Sequence, residues 1–416
     1  MKLQKNKYYF ISLIGLTLII SYIMGACMPV PMPVIDSEES SEKVSDSLIF
    51  GMLMVGSHND RGWSESHYNA AIYAEQSLPG AQFIYIDRVN PADRPGQSTT
   101  ELAVDLVEQG AKVVIFNSDD MKAAALEFSQ AYPEIQVVHA TGDSSWIDGK
   151  NYVKLDNLTN VMGRIEYGKM IAGCAAALTT RTGKIGYLGP LINEETRRLA
   201  SSAYLGAKYC WDTYRKPKAT AGQLIFKVEW IGFWFNIPGV TLDPTTVASD
   251  FYSDEFDVVI SGIDTTEALI EAQSRYTITN PVWAIPFDYN GACSGANNVC
   301  LGVPYFNWGP FYAQYLTNLR DGVSGEQWNL LGPDWSDLNN PDSSHIGFEK
   351  GQALTAENSR IVDQFITLLA GGMNLWTGPL KYQDGTEFLA NGEQATDSQI
   401  WYLEQLLFGM QGNSYP

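Results

Sequence analysis

Short apolar runs alternate with amphipathic stretches from residue 48 onwards, and few folds accept a chain of this kind. The first runs are LIFGMLMV, FIYI and VVIF, and the stretches between them space their apolar residues as helices do. A strand that is apolar at every position is buried on both faces, as in a parallel sheet covered by helices. The sequence therefore predicts an α/β fold built from parallel βαβ units.

The alternation begins again near residue 162, with runs such as KIGYLGP, LIFKVEWIG and DVVISG. This repetition predicts two doubly wound parallel-sheet lobes with a central cleft between the carboxyl ends of their strands. We predict that residues 48–161 form the first lobe, with part of 290–340 returning to it. Residues 162–289 are predicted to form the second lobe, with part of 341–416.

Two local features are predicted in addition. The segment NVMGRIEYGKMIAGCAAALTT, residues 160–180, is predicted to form one long helix because small and apolar residues dominate it. A hairpin is predicted around Asp384–Gly385, since Asp-Gly between two short runs is typical of a tight turn.

Residues 1–27 have the features of an export signal. Three lysines precede the apolar run ISLIGLTLIISYIM, and the segment ends in MGAC. This pattern is typical of a secretory signal peptide. Its end resembles a bacterial lipobox, which implies lipidation of Cys27, and the alternative is an uncleaved transmembrane anchor. Residues 28–47 are rich in Pro and then in Ser and Glu, which predicts a flexible tether.

Charge and cysteine content narrow the range of partners. The formal net charge is −20, from 47 acidic and 27 basic residues, and we expect no nucleic-acid partner because phosphate binding needs clustered Lys and Arg. Beyond Cys27, the residues Cys174, Cys210, Cys293 and Cys300 could form two disulfides in an exported chain, or could be buried free thiols. No Cys/His spacing indicates a metal site, and we expect no cofactor.

The sequence motifs of common enzymes are missing from the predicted strand-to-helix turns. The first turn, GSHNDRGW, carries bulky residues between its glycines, and it fits neither a dinucleotide-binding pattern nor a P-loop. A G-x-S-x-G nucleophile motif is missing as well. We therefore expect a binding protein and no enzyme.

Rings and short polar side chains follow the predicted strands at their carboxyl ends. Because parallel strands end at one rim of a sheet, these residues are expected to converge on the cleft. Rings offer stacking faces to a planar ligand, while carboxylates and amides can read its edge. The residues in such positions are Asn59, Asp60, Trp63, Asn117, Ser118, Asp119, Trp234, Asn236, Asp264, Asp288 and Tyr289.

Purely structural roles are open for several of these residues. Trp63 can fill core, and Asp60 can cap the following helix. The WFN segment containing Trp234 can be an aromatic wedge between the lobes. His67, on the helix after the first strand, is a candidate ligand-binding residue but can equally pack or be exposed.

Several segments together resemble one known family. These segments are DRGWSESHYNAA, FSQAYPEIQVVHATG, GRIEYGKMIAGCAAALTTRTGKIGYLGP, WFN, NWGPFY and TGPLKYQDG. In their combination they resemble the basic membrane protein (BMP) family of substrate-binding lipoproteins, which serve ABC importers. The resemblance extends from residue 48 to about residue 410.

The resemblance implies a type I periplasmic-binding-protein fold, with two lobes hinged around a ligand. In the family an aromatic residue from each lobe sandwiches a purine, and these positions fall on Trp63 and Trp234. The resemblance also places at or near the site the residues Asn59, Asp60, Asn117, Ser118, Asp288 and Trp308.

Departures from the family pattern refine the predicted ligand. Members that bind nucleosides carry a lysine that grips the ribose, and the segment VPYFNWGP has none, which favours a free base. We predict an extracytoplasmic, lipid-anchored receptor that delivers a purine base or nucleoside, adenine-like by preference, to ABC permease subunits. The alternatives are a receptor for another heterocycle such as a flavin, or a surface lipoprotein or adhesin that has lost ligand binding.

Overall fold

The computed structural model describes residues 47–215 and 222–416. The predicted export signal, Cys27 and the predicted tether up to residue 46 lie outside the described residues. Within the described ranges, no helix has both the length and the apolar character needed to cross a membrane.

Fifteen strands and ten helices make up the described chain. The strands are β1 Leu48–Leu53, β2 Ala81–Ile86, β3 Val113–Phe116, β4 Gln136–Ala140, β5 Leu158–Gly163, β6 Lys184–Gly189, β7 Ile225–Trp230, β8 Val258–Ser261, β9 Trp283–Ile285, β10 Gly302–Phe306, β11 Trp328–Leu331, β12 Ile346–Lys350, β13 Leu380–Lys381, β14 Glu387–Leu389 and β15 Met410–Gln411. The helices are α1 Trp63–Ser77, α2 Thr99–Glu108, α3 Lys122–Ala131, α4 Glu166–Thr179, α5 Glu194–Cys210, α6 Pro244–Ser253, α7 Glu267–Arg275, α8 Gly309–Arg320, α9 Ala356–Ala370 and α10 Asp397–Trp401.

Two parallel sheets organise these elements. The first has the order β11-β5-β4-β3-β1-β2 and the second the order β15-β7-β6-β8-β9, and every strand pair in both is parallel. Each order reverses once, between β1 and β3 and between β6 and β8, which is the topological switch where open α/β sheets bind ligands. The predicted α/β fold with two doubly wound parallel sheets is confirmed.

The strands form where the sequence is apolar without interruption. All four residues of β3 and of β8 are buried, as the absence of alternation predicts. Helices begin at residues that satisfy their free N–H groups: Ser98 and Glu101 form a capping box at α2, and Asp243 precedes Pro244 at the start of α6.

The single long helix predicted over 160–180 is wrong in its first part. Residues Leu158–Gly163 form β5, whose six residues are all buried, and α4 begins only at Glu166. This strand pairs with β4 on one side and β11 on the other, so long-range pairing decides its conformation. The predicted hairpin is confirmed, since β13 and β14 are antiparallel on either side of Asp384–Gly385.

Helices α4 and α5 pack against each other at backbone distance in the second half of the molecule. A Cβ added at Gly173 would lie 1.8 Å from the Ala203 carbonyl oxygen, and one added at Gly206 would lie 1.9 Å from that of Met170. In the same interface, Cys174 and Cys210 form a disulfide. Small residues and a covalent link therefore fix the position of α5 against α4.

We expect Gly206→Ala to lower the free energy of unfolding by about 1–3 kcal/mol, the usual cost of overpacking a close-packed interface. The added methyl group meets backbone atoms, which cannot rotate away. Urea unfolding followed by circular dichroism measures the change. Gly325→Ala is the matched control, because its nearest neighbouring atom would be 3.9 Å away. Equal stabilities of the two variants would contradict the close-packing argument.

Candidate functional site

One cavity lies between the carboxyl ends of the two sheets, with about 20 Å³ of space open to the centre of a water molecule. The loops after β1, β3 and β4 contribute from the first sheet, and those after β6, β7, β8 and β9 from the second. Its lining residues are Trp63, Ser118, Asp119, Thr141, Tyr187, Pro190, Glu195, Thr196, Leu199, Trp234, Gly262, Asp264, Phe287 and Asp288.

Trp63 is the first residue of α1 and forms part of the cavity wall. Its indole Nε1 donates a hydrogen bond of 2.6 Å to the Asn117 backbone oxygen at the end of β3. Phe306 and Trp308 pack edge-on against it, with ring centroids 5.3 and 5.5 Å away. Because these contacts fix the ring before any ligand arrives, Trp63 can offer a preorganised stacking face.

Trp234 lines the same cavity from the loop after β7. It is 8% exposed, and its indole Nε1 is buried without a hydrogen-bond partner. The neighbours Phe233 and Phe235 instead pack against the core around the first sheet. In this loop, therefore, Trp234 lines the cavity, while Phe233 and Phe235 on either side of it pack against the core of the first sheet.

Four carboxyl groups, on Asp119, Glu195, Asp264 and Asp288, line the cavity. Burial raises the pKa of Glu195 to about 7. Burial also raises the pKa of both Asp264 and Asp288 well above the usual range of an aspartate, and the proximity of the other acids adds to the effect. These carboxyl groups therefore hold a proton more readily than exposed carboxyl groups do, unless a partner stabilises the charged form.

Asp288 has the least satisfied side chain of the four. It is fully buried, and neither carboxyl oxygen has a hydrogen-bond partner among the described residues. The Thr141 hydroxyl, on the opposite wall, is also unpartnered. Both residues have positive φ angles, 71° in each case, which is unusual for a β-branched threonine. Unpaired buried groups and strained backbone concentrate at functional sites.

Three contacts join the two sides of the cavity. A Cβ on Gly62 would lie 1.7 Å from the Asp264 backbone oxygen, so the two loops meet at backbone distance. The Arg61 guanidinium donates to the backbone oxygen of Ser294, and the Asn193 amide donates to Asp119 at 3.3 Å. The structure is therefore the closed form, in which the rims of both sheets touch.

Four of the nine ligand-binding residues predicted from sequence line the cavity: Trp63, Ser118, Trp234 and Asp288. Of the others, Asn59 is exposed and accepts a hydrogen bond of 2.7 Å from Ser57. Its side chain contributes to a surface turn and does not line the cavity.

The remaining four residues lie behind the wall and support it. Asp60 accepts hydrogen bonds from the backbone N–H groups of residues 62, 64 and 65, which makes it a helix-capping residue, and burial raises its pKa to about 6. Asn117 accepts from Val55 N–H at 2.9 Å. His67 stacks on Trp308 at 4.5 Å, so both belong to the aromatic layer behind Trp63.

Sequence reasoning left out the contribution of α5. Glu195, Thr196 and Leu199 lie in its first two turns and line the cavity. The signal was present in the sequence, because this helix follows β6 directly and its start must lie on the same rim as the other strand ends. Asn193 and Thr196 form a capping box that fixes that start.

Comparison with known proteins agrees with this architecture. The family model described as ABC transporter substrate-binding protein, PnrA-like, matches residues 48–317. A purine-binding protein of Brucella abortus is 23% identical over 366 residues, covering 85% of this chain and 90% of that protein. A putative ABC transporter glucose-binding protein of Haloferax volcanii is 28% identical over 270 residues, covering 63% of this chain and 59% of that protein.

Solved structures show the same fold at low sequence identity. An ABC transporter solute-binding protein of Aeropyrum pernix K1 has a TM-score of 0.59 at 13% identity, with 86% of this chain and 100% of that chain covered. Another, from Conexibacter woesei, has a TM-score of 0.56 at 15% identity, covering 78% of this chain and 97% of that chain. Since the family model spans well over half of the 416 residues, the chain belongs to the Bmp family of PnrA-like substrate-binding proteins of ABC transporters.

Proposed function

We propose that this protein is the receptor of an ABC importer for a purine base, with adenine-like bases favoured, and that the base binds between Trp63 and Trp234. One observation carries the proposal: two indoles from different sheets line one cavity, together with a buried carboxyl group that has no protein partner. The same proposal includes lipidation at Cys27, action outside the cytoplasm, and two lobes with boundaries at residues 48–161 and 162–289.

Ring stacking and hydrogen bonds to the edge of the base contribute separately to the binding free energy. Aromatic stacking on a base contributes about 1–3 kcal/mol per ring face. The unpartnered groups at the wall are the Asp288 carboxyl, the Thr141 hydroxyl and the Trp234 Nε1. A heterocycle with an exocyclic amino group and ring nitrogens can satisfy the carboxyl and the hydroxyl, whereas the Trp234 N–H lies in the plane of its ring and cannot donate to a base stacked on that ring. A ligand that leaves one buried group unpaired loses about 1–3 kcal/mol.

The size of the cavity favours a small ligand over a flavin. Only about 20 Å³ of it is open to the centre of a water molecule, so a ligand with a large ring system needs the rims to move further apart than a small base does. The lining residues include no Lys that could grip a ribose within the described chain. Both observations support a free base. A similarity to a putative glucose-binding protein makes glucose a necessary comparison in any binding experiment.

Binding by closure follows from the contacts between the two rims. An open form exposes both indoles, and a ligand that contacts both sides has more favourable interactions in the closed form. The ligand therefore shifts the equilibrium towards closure, and the permease subunits can recognise the closed form. This is a hinge motion around a site whose two halves are each preformed.

Adenine at saturating concentration is expected to raise the melting temperature of the full chain, because about 100 Kd of ligand adds about 2.7 kcal/mol to the stability. The thermal-shift panel contains adenine, hypoxanthine, adenosine, riboflavin and glucose. Trp234→Ala should abolish most of the shift. Trp234→Phe keeps a stacking face and should retain part of it. A shift given only by riboflavin or glucose, or an equal loss in both variants, contradicts the base sandwich.

Gly62→Ala is expected to weaken base binding by at least about tenfold, because the added methyl group clashes with the Asp264 backbone oxygen in the closed form. The clash arises only where the two rims meet, so the open form should fold normally. Isothermal titration measures the affinity, and small-angle scattering with ligand shows whether the variant stays open. Gly332→Ala, whose nearest neighbour would be 4.0 Å away, is the control. Unchanged affinity in Gly62→Ala would refute closure at this contact.

A further inference from the structure

We propose that the cavity selects a ligand that carries a positive charge, so that a cationic planar heterocycle binds in preference to its neutral counterpart. The inference rests on the proposed function, in that it assigns the same cavity as the ligand site. It adds the charge of the ligand, which the ring pair alone does not determine.

The wall of the cavity is rich in acids and contains no base. Asp119, Glu195, Asp264 and Asp288 line it, and none of the described lining residues is a Lys, Arg or His. Asp288 in addition is fully buried with both oxygens unpartnered. Aromatic faces surround these acids, since Trp63, Trp234, Tyr187 and Phe287 lie on the same wall. Carboxylates and ring faces both attract cations.

Two buried bases, Lys169 and Arg198, act on the carboxyl groups of the wall, and within the described residues Arg198 Nη2 has no hydrogen-bond partner. Lys169 Nζ donates to the Ser261 backbone oxygen at 2.8 Å and lies 3.0 Å from the centroid of Phe287. Arg198 forms an ion pair with Glu166 at 2.9 Å. Neither makes a hydrogen bond to Asp288, and burial lowers the pKa of Lys169 well below its usual range. Within the described residues, the bases near the cavity therefore compensate the acids of its wall only in part.

The charged and titratable groups that act on Asp288 come from several elements. Lys169 on α4 favours its ionised form, whereas Asp60 beside α1 and Glu195 on α5 disfavour it. Asp264, after β8, and the Tyr187 phenol, on β6, share the same wall. A bound cation would act on all of these groups at once, because it favours every ionised carboxylate around it.

The binding affinities of a permanent cation and of a neutral ligand should depend differently on pH. In the free site the carboxyl groups hold their protons more tightly than exposed carboxyl groups do, because burial raises the pKa of Glu195 to about 7 and that of Asp288 well above the usual range of an aspartate. A cation that pairs with a carboxylate releases such a proton. Its affinity therefore rises with pH, by up to about tenfold per unit for each proton released between about pH 6 and 8. A neutral ligand releases no proton and gives a flat profile.

The test is isothermal titration of the full chain, purified in detergent, with two matched pairs of ligands. One pair is nicotinamide and the permanent cation 1-methylnicotinamide, and the other is 9-methyladenine and the permanent cation 7,9-dimethyladeninium. We expect the cation of at least one pair to bind about tenfold or more tightly than its neutral partner, with an affinity that rises between about pH 6 and 8. Equal or weaker binding of both cations overturns the proposal.

Asp288→Asn should weaken both the preference and the pH slope, since Asp119, Glu195 and Asp264 remain in the wall, and asparagine tolerates the positive φ at this position. Asp105→Asn is the control, because it changes the net charge by the same amount at an exposed site. It should alter neither the preference for the cation nor the pH slope of its affinity. If Asp288→Asn fails to fold, the comparison of the ligand pairs on the unmodified chain still tests whether the cavity prefers a cationic ligand. Purine binding without a cation preference refutes this inference alone, whereas a preference for 1-methylnicotinamide without purine binding refutes only the proposed purine.

Discussion

A buried carboxyl group without a protein partner is the constraint around which the site is arranged. Burying Asp288 unpaired is unfavourable, and the backbone around it holds the residue in place nonetheless. Its N–H donates to the Pro304 backbone oxygen at 3.1 Å, and its own backbone oxygen accepts from Phe306 at 3.2 Å. Phe306, at the end of β10, also packs edge-on against Trp63. The same strand therefore positions an edge-reading group of one sheet and a stacking ring of the other.

The unfavourable free energy of the empty site links binding to closure. In the closed form, Gly62 meets Asp264 at backbone distance and the acids of both sides are brought together away from water. Without a ligand, their mutual repulsion and desolvation oppose this arrangement. In the proposed mode of binding, a ligand that supplies hydrogen-bond donors or positive charge removes that opposition, while its rings stack on both indoles. A receptor of this kind is stable in the closed form only when such a ligand is bound. Because the permease would then receive only ligands that allow closure, the receptor selects the ligand for transport.

The sequence predicted the sheets well and the cavity only in part. Strand β3 is apolar at every position and β8 at all but its last, Ser261, so the local pattern alone identifies them, and their carboxyl ends locate the rim. The strand β5 was predicted as helix because its residues, LTNVMG, have no strong period of their own and are held by pairing with β4 and β11. Asp60 and His67 have the right chemistry in the right loop, but the direction of a side chain depends on packing. A neighbouring residue, Trp63, faces the cavity, whereas these two form its support.

The two disulfides strengthen the side of the cavity formed by the second sheet. Cys174–Cys210 links α4 to α5, and α5 carries Glu195 and Leu199 into the wall. Cys293–Cys300 closes the loop that presents Ser294 to Arg61 across the cleft. On the other side, the aromatic layer behind Trp63 has the same effect by packing. Because each half is rigid before binding, little conformational entropy is lost within it, and the free energy of ligand contact can be used for the closing motion between the halves.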